Sequence, residues 1–342
     1  MAAEEEPPTS GATLAVGGGL DLGRTGMRLS IVGLGGSGWG KNYGPYDEKE
    51  AVRAFHHALD RGVNYIDTAY WYGQGHSEKF LGQHLLPTVS RDRYFIATKV
   101  GRYELDLPNM FNFTAERVTK SLEESLRRLQ LSEVDIIQIH DVEFSLSVNQ
   151  ILHETLPALE RLKEKGLCRH IGITGYPLGP LKEVISQSSV QIDSILSYCR
   201  LSLNDWTLKN EFQFFKENKV PIINACPVSM GLLTEGPVQD WHPSLPWIRD
   251  ACNRAVQYCR EQGVDITKLA LHYSTSFEEA VTTLVSMCDT EMVDKNLDSA
   301  LSPLTPHEEG VMQHLLDNVF GDMTQRHWEG VELVSYWNAT RK

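Results

Sequence analysis

The segment from Tyr94 to Asp141 reads YFIATKVGRYELDLPNMFNFTAERVTKSLEESLRRLQLSEVDIIQIHD. Near its ends lie two short apolar runs, Phe95-Ile-Ala-Thr98 and Ile136-Ile-Gln-Ile139, and between them Val118, Leu122, Leu126 and Leu129 recur at intervals of three and four. Short apolar runs suit buried strands, and the three-four spacing suits a helix with one apolar face. Strand, helix and strand in that order predict a parallel βαβ unit, because parallel neighbours need a crossover that a tight hairpin cannot supply.

The unit repeats in both directions. Val32-Gly-Leu34, Tyr65-Ile-Asp67, His170-Ile-Gly-Ile-Thr174, Ile195-Leu196, Ile222-Ile-Asn-Ala225 and Thr283-Leu-Val285 complete a set of strands separated by helical patterns, such as Ala51, Phe55, Ala58 and Leu59. Ile151, Leu156, Leu159 and Leu162 mark another helix, with Gly166 as its C-terminal stop. Leu20-Asp-Leu22 and Met27-Arg-Leu29 flank Gly23-Arg-Thr-Gly26 and read as a β-hairpin. No linker divides the series. The expected architecture is a (β/α)8 TIM barrel with an N-terminal β-hairpin and a C-terminal tail from about Ser302, one domain over residues 19–342 behind a disordered acidic leader at 1–18. Two placements fit the tail, which carries Trp328 and Trp337: over the barrel mouth or on the outer helices.

The composition agrees with a soluble globular protein: 342 residues, 41% hydrophobic and 23% charged. With 32 Lys+Arg against 45 Asp+Glu the net charge is -13, and no basic block is present, which excludes a nucleic-acid partner. Apolar runs fall far short of the ~20 residues of a membrane span. The acidic start has neither a basic n-region nor an apolar core, so a cytoplasmic location is expected. The six cysteines form no C-x-x-C pair and read as reduced packing residues. No His/Cys cluster has ligand spacing, so no metal is expected.

Gly33-Leu-Gly35-Gly-Ser-Gly38 follows a strand and matches G-x-G-x-x-G, the Rossmann fingerprint. That motif needs a helix to begin inside it, whereas here helical periodicity starts only near Asp47. The stretch is read instead as a barrel loop that brings backbone close to a ligand, with Gly36 and Ser37 in a cofactor site.

Chemistry in such a barrel sits at the C-terminal strand ends. Asp67 ends the second strand, Tyr72 follows in its loop, Lys99 ends the third and His140 the fourth. A carbonyl that accepts hydride needs a proton donor. A tyrosine, with its ordinary pKa of about 10, can serve if a cation favours its phenolate. Lys99 supplies that cation, Asp67 holds it, and His140 orients the reacting oxygen. In reverse, the Tyr72 phenolate removes the proton of an alcohol or hemiacetal.

Tyr65-Ile-Asp67-Thr-Ala-Tyr-Trp-Tyr72-Gly with Ser77-Glu78 and Leu81-Gly82, Thr98-Lys99, Val134-Asp135 before His140-Asp141, and Gly172-Ile-Thr174 resemble the successive signatures of the aldo-keto reductases. Gly101-Arg102-Tyr103, His140-Asp-Val-Glu143-Phe144, Leu196-Ser-Tyr-Cys199, Met230-Gly-Leu-Leu-Thr-Glu235 and Trp241-His-Pro243 are similar to the L-galactose dehydrogenase branch. The resemblance covers nearly the whole chain from Leu22 to about Asn296. It implies catalytic roles for Asp67, Tyr72, Lys99 and His140, and oxidation of a sugar's anomeric carbon to a lactone with NAD.

Where family members hold the nicotinamide, this chain reads Thr174-Gly175, Ser197 and Ala225. Gly175 offers no polar group and Ala225 cannot stack. Asp67 also touches this site, and the pyrophosphate is expected near Ser229, Gly231 and Leu232. Aligned on Asn296, the positions that are basic in NADP-dependent members are Ser286 and Met292, among Asp289, Glu291 and Asp294 and beside Lys295. A phosphate dianion fits poorly among carboxylates, which favours NAD, with NADP the alternative. Trp39 and Trp71 offer faces for a sugar to stack on, and Asp141 and Glu143 offer acceptors for its hydroxyls. The alternatives are an NADPH-dependent reductase of small aldehydes or ketones and a nucleotide-binding interaction subunit. The small-molecule partner is a sugar or aldehyde, and no oligomeric state is assigned.

Overall fold

The computed structural model describes residues 18–340, so the leader lies outside the described residues apart from Gly18. Eight parallel strands close into a barrel in chain order: β3 (Val32–Gly35), β4 (Tyr65–Asp67), β5 (Phe95–Val100), β6 (Val134–Ile139), β7 (Cys168–Gly175), β8 (Ser194–Tyr198), β9 (Ile222–Ala225) and β10 (Ala280–Val285). β10 pairs with both β9 and β3, which completes the ring. The hairpin is β1 (Leu20–Asp21) and β2 (Arg28–Leu29), turning through Gly26 at φ 74°. No helix among the described residues is long and apolar enough to cross a membrane.

Alternation along each strand sorts its residues between two environments. Ile66, Ile96, Ile137, Ile171, Ile173 and Ile195 face outward and pack under the helices. Tyr65, Phe95, Ala97, Ile136, Leu196, Ile223 and Leu284 fill the barrel interior together with Leu22, Met27 and Leu29 of the hairpin region. Continuing the same parity upward leads from Tyr65 to Asp67, from Ala97 to Lys99, and from Ile136 through Gln138 to His140. Register places Asp67 opposite Ala97 and Lys99 opposite Gln138, so these side chains meet at the top of one packed column.

The glycine-rich loop after β3 is tied to β4 rather than opened as a phosphate cradle. The Gly36 amide donates to the Asp67 carbonyl at 2.7 Å, and the Ser77 hydroxyl donates to the Gly36 carbonyl at 2.9 Å. A Cβ on Gly36 would lie 2.9 Å from the Asp67 carbonyl oxygen, which is why glycine stands there. The helix that follows, Glu48–Asp60, begins only after Asp47, whose carboxylate accepts from the amides of Lys49 and Glu50. The Rossmann arrangement is therefore absent.

Trp39, expected to face a sugar, is buried instead. Its ring is 1% exposed and lies 6.3 Å from Phe55 and 6.4 Å from Phe80. The Gly40 amide bonds back to the Gly36 carbonyl at 3.2 Å, so the loop folds over and carries the indole inward. Burying so large an apolar surface outweighs leaving it at the mouth.

The tail takes both of its expected placements. The helix Pro306–His314 docks on the barrel's outer layer, where Lys268 reaches Glu308 at 2.6 Å. Further on, Trp328 stacks on Tyr176 at 4.8 Å and donates its amide to that hydroxyl, while Glu329 pairs with Arg200. The helix Val331–Thr340 then crosses the mouth, with Tyr336 packed against Phe111 and Phe144 and Glu332 lining the cavity below.

Replacing Trp39 by alanine removes core volume and should lower the unfolding free energy by about 3–5 kcal/mol in urea titration. A loss below about 1 kcal/mol would place the indole outside the core.

Candidate active site

Lys99 is the hub of the polar cluster at the barrel mouth. An ammonium has three N–H donors, and here they go to the Asp67 carboxylate, the Thr68 carbonyl at 3.0 Å and the Tyr72 hydroxyl at 3.1 Å. The Lys99 and Asp67 side chains are 1% and 2% exposed. The second Asp67 oxygen accepts from the Gln138 amide at 2.6 Å. With donors on both oxygens, Asp67 is best satisfied as the carboxylate. Because the Tyr72 oxygen accepts from Lys99, its own O–H is left to donate elsewhere.

Burial opposes the Lys99 charge, but Asp67 and Tyr72 outweigh it and hold the ammonium above its ordinary pKa. Burial pushes the Tyr72 phenol up to about 12, and Lys99 pulls against it. Lys99 acts in the expected direction and favours the phenolate, but burial outweighs it, so the net shift is upward and the resting group is a protonated phenol. His140 meets Tyr72 edge to face at 6.1 Å. Burial, then Lys99 and Arg102, push its imidazole well below 6.5, so it is neutral, with a buried Nδ1 that has no hydrogen-bond partner. A phenol proton, a fixed cation and a neutral imidazole suit proton exchange with a single substrate oxygen.

These four residues line a cavity of about 1230 Å³. Of the residues expected at a cofactor, Ser37, Thr174, Gly231, Ser286, Met292 and Asn296 also line it. Four others do not. Gly36 packs on β4 as described. Ser197 falls on the outward parity of β8, whose cavity-facing residues are Leu196 and Tyr198. The Ser229 hydroxyl is occupied by Asn204 at 2.5 Å and Ser202 at 3.1 Å, and Leu232 is 2% exposed within the apolar core.

The far wall is formed by the end of β10 and the helix Thr290–Leu301. Ser286 Oγ accepts from the Gly38 amide at 3.2 Å and contacts Ser37 Oγ at 3.0 Å. Lys295 is paired with Asp265 at 2.7 Å, while Asp289 and Glu291 face the same space. Among the described residues, no three His, Cys, Asp or Glu side chains are arranged to hold a metal ion.

Of the expected substrate contacts, Trp71 and Asp141 line the cavity and Trp39 and Glu143 do not. Glu143 lies behind the wall: Oε1 accepts from the Tyr176 amide at 3.0 Å, and a Cβ on Gly175 would sit 2.8 Å from Oε2. A side chain at position 175 would have to displace that carboxylate. Sequence reading missed Gln138 and Tyr198, although strand parity marks both. Tyr198 is the register partner of Ala225 and puts an aromatic ring beside the position that lacks one. It also missed the contact of Tyr43 with Trp241 across the cavity, with ring centroids 5.9 Å apart.

Comparison with known proteins agrees with this geometry. A profile of the Aldo/keto reductase family matches residues 31–316. L-galactose dehydrogenase of Arabidopsis thaliana is 44% identical over 278 residues, 81% of this chain and 86% of that protein. D-arabinose 1-dehydrogenase of Saccharomyces cerevisiae is 34% identical over 262 residues, covering 72% of this chain and 76% of that one. Among solved structures, an aldo-keto reductase from Bacillus halodurans in its holo form superposes with a TM-score of 0.71 at 26% identity, covering 91% of this chain and 99% of that chain.

Lys99→Met strips the buried Asp67 of its cation and should cost about 3–5 kcal/mol of stability. Adding Asp67→Asn should recover most of it, read by urea unfolding of both variants. A single variant as stable as the wild type would contradict the ion pair.

Proposed function

The chain belongs to the aldo/keto reductase family of oxidoreductases, and from that premise we propose that it is an NAD-dependent aldose 1-dehydrogenase that produces a lactone. The observation that carries the reading is the Tyr72 hydroxyl, held by Lys99 and free to exchange a proton beside neutral His140. The sugar is supported by the relatives named for L-galactose and D-arabinose. The preference for NAD is supported by Asp289 and Glu291 on the cavity wall and by the pairing of Lys295 with Asp265.

Oxidation of a cyclic aldose breaks the C–H and O–H bonds at the anomeric centre and leaves a lactone carbonyl. The nicotinamide dinucleotide, when bound, supplies the hydride acceptor; Thr174, Gly231, Ser286, Met292 and Asn296 are the residues we assign to holding it. Tyr72 takes the hydroxyl proton. To accept that proton Tyr72 must first have lost its own to solvent, and Lys99 lowers the cost of the phenolate by placing an ammonium 3.1 Å from its oxygen. Asp67 and Gln138 keep the ammonium in position. His140, neutral, donates a hydrogen bond to the sugar oxygen and fixes its approach. In the opposite direction the protonated phenol is the acid.

The test is initial-rate absorbance of reduced nicotinamide with NAD and NADP in parallel and a panel of neutral aldoses. The expected result is reduction of NAD by one stereochemical class of sugar, with the lactone as product. NADPH consumption by simple aldehydes with no sugar oxidation would move the assignment to carbonyl reduction. Tight nucleotide binding without turnover in either direction would favour an interaction subunit. Tyr72→Phe should keep nucleotide affinity and lower kcat by about 100- to 10,000-fold, the range of a lost general base. Near-normal turnover in that variant would remove Tyr72 from the chemistry.

A further inference from the structure

Asp141 was expected to accept hydrogen bonds from the substrate, but its oxygens are already engaged. Oδ1 accepts from the Thr174 hydroxyl at 3.1 Å and Oδ2 from Arg102 Nη1 at 2.8 Å. The donor that Asp141 holds in place is the more informative group. Arg102 follows Gly101, which turns the chain at φ 112°, and its backbone is pinned by an antiparallel bridge to Phe111. Its guanidinium stacks on Trp71 at 4.2 Å and on Phe111 at 5.3 Å. The side chain lines the cavity, and its buried Nε–H has no hydrogen-bond partner. A guanidinium carries five N–H donors, so this rigidly held group has donors left over.

Glu332 lines the same cavity, delivered by the C-terminal helix from the far end of the chain. Tyr336, four residues further along that helix, packs on the Phe111 ring over which the Arg102 guanidinium lies, and burial raises the Glu332 carboxyl while Arg102 pulls it back. We propose that Arg102 and Glu332 are the sugar-recognition pair, Arg102 donating to hydroxyl oxygens and Glu332 accepting hydroxyl protons, and that they select neutral polyhydroxy aldoses over anionic sugars. This inference rests on the reading of the cavity as that of an aldose dehydrogenase.

The charge balance carries the selectivity. The Arg102 cation is already matched by Asp141, and Glu332 adds a second carboxyl to the same cavity. A uronate or sugar phosphate finds no unmatched positive charge there and meets a carboxylate instead. A neutral hydroxyl is both donor and acceptor, and it can bond to both residues at once. Trp71, one face covered by Arg102, stiffens the pair.

The experiment measures kcat, KM and the NAD dissociation constant for the wild type, Glu332→Gln and Arg102→Lys. The substrates are L-galactose, D-arabinose and a hexuronate. Arg102→Lys keeps a cation for Asp141 and removes the planar fork, so loss of folding is not the expected effect. Each variant should raise KM for the preferred neutral aldose about tenfold, the cost of one charge-assisted hydrogen bond, with kcat and NAD affinity changed far less. The wild type should discriminate against the hexuronate, and Glu332→Gln should narrow that gap. If the wild type oxidises sugars and both variants keep its KM and its selectivity, the recognition pair is overturned while the dehydrogenase reading stands. A wild type that oxidises no sugar overturns both.

Discussion

An ammonium and a carboxylate buried side by side at the barrel mouth are the constraint on which the rest of the site depends. Exchanging a buried ion pair for apolar side chains is often neutral or stabilising, so stability alone gives no reason to keep Lys99 and Asp67 there. What the pair provides is a fixed cation whose remaining N–H groups are directed at the Thr68 carbonyl and the Tyr72 oxygen. Each neighbour follows from that need. Gln138 satisfies the second carboxylate oxygen, and the packed column of Tyr65, Ala97 and Ile136 beneath excludes water. His140 is kept neutral first by burial and then by the positive charges of Lys99 and Arg102. The balance on Tyr72 is the result: burial favours the phenol and Lys99 favours the phenolate.

The sequence made the barrel and the tetrad legible for the same reason. Alternation along a strand is strictly two-residue, so once Phe95 and Ala97 are recognised as interior, Lys99 must follow, and Ile136 leads to His140 in the same way. Gln138 and Tyr198 obey the rule equally, and counting from Ile136 and Leu196 would have found them. The readings that did not survive lie mostly outside that periodicity. Trp39 and Glu143 sit in loops whose direction is set by contacts made after folding: the Gly36 to Gly40 turn carries one inward, and the Tyr176 amide captures the other. Ser229 and Leu232 belong to a left-handed turn, with φ of 48° at Ser229 and 53° at Met230, that directs both away from the cavity. Ser197 failed because alignment by resemblance overrode strand parity.

Other contributions were invisible in the sequence because the chain separates them too far. Arg102 and Glu332 line one cavity although one follows the third barrel strand and the other belongs to the last helix. No local pattern links them. Their meeting depends on Trp328 stacking on Tyr176 and on Tyr336 packing edge-on against the stacked rings of Phe111 and Phe144, which dock the tail across the mouth. The opposite wall shows the same logic with charge: Lys295 is matched by Asp265, while Asp289 caps the helix Thr290–Leu301 through the Met292 amide. In the proposed reading, chemistry falls to the strand ends and ligand choice to segments that loops and the tail bring over them.

Lys99 governs the proton held by Tyr72. The most direct test is the pH dependence of kcat/KM for sugar oxidation, comparing the wild type with the Asp67→Asn/Lys99→Met double variant. Oxidation requires phenolate, so the wild-type rate should climb by about tenfold per pH unit through the neutral and mildly alkaline range. The double variant loses both the cation, which favours the phenolate, and the carboxylate, which opposes it; the cation's effect is the larger, so the variant's curve should lie below the wild type at every pH and be displaced to the alkaline side. A wild-type profile independent of pH, or two curves that superimpose, would contradict it.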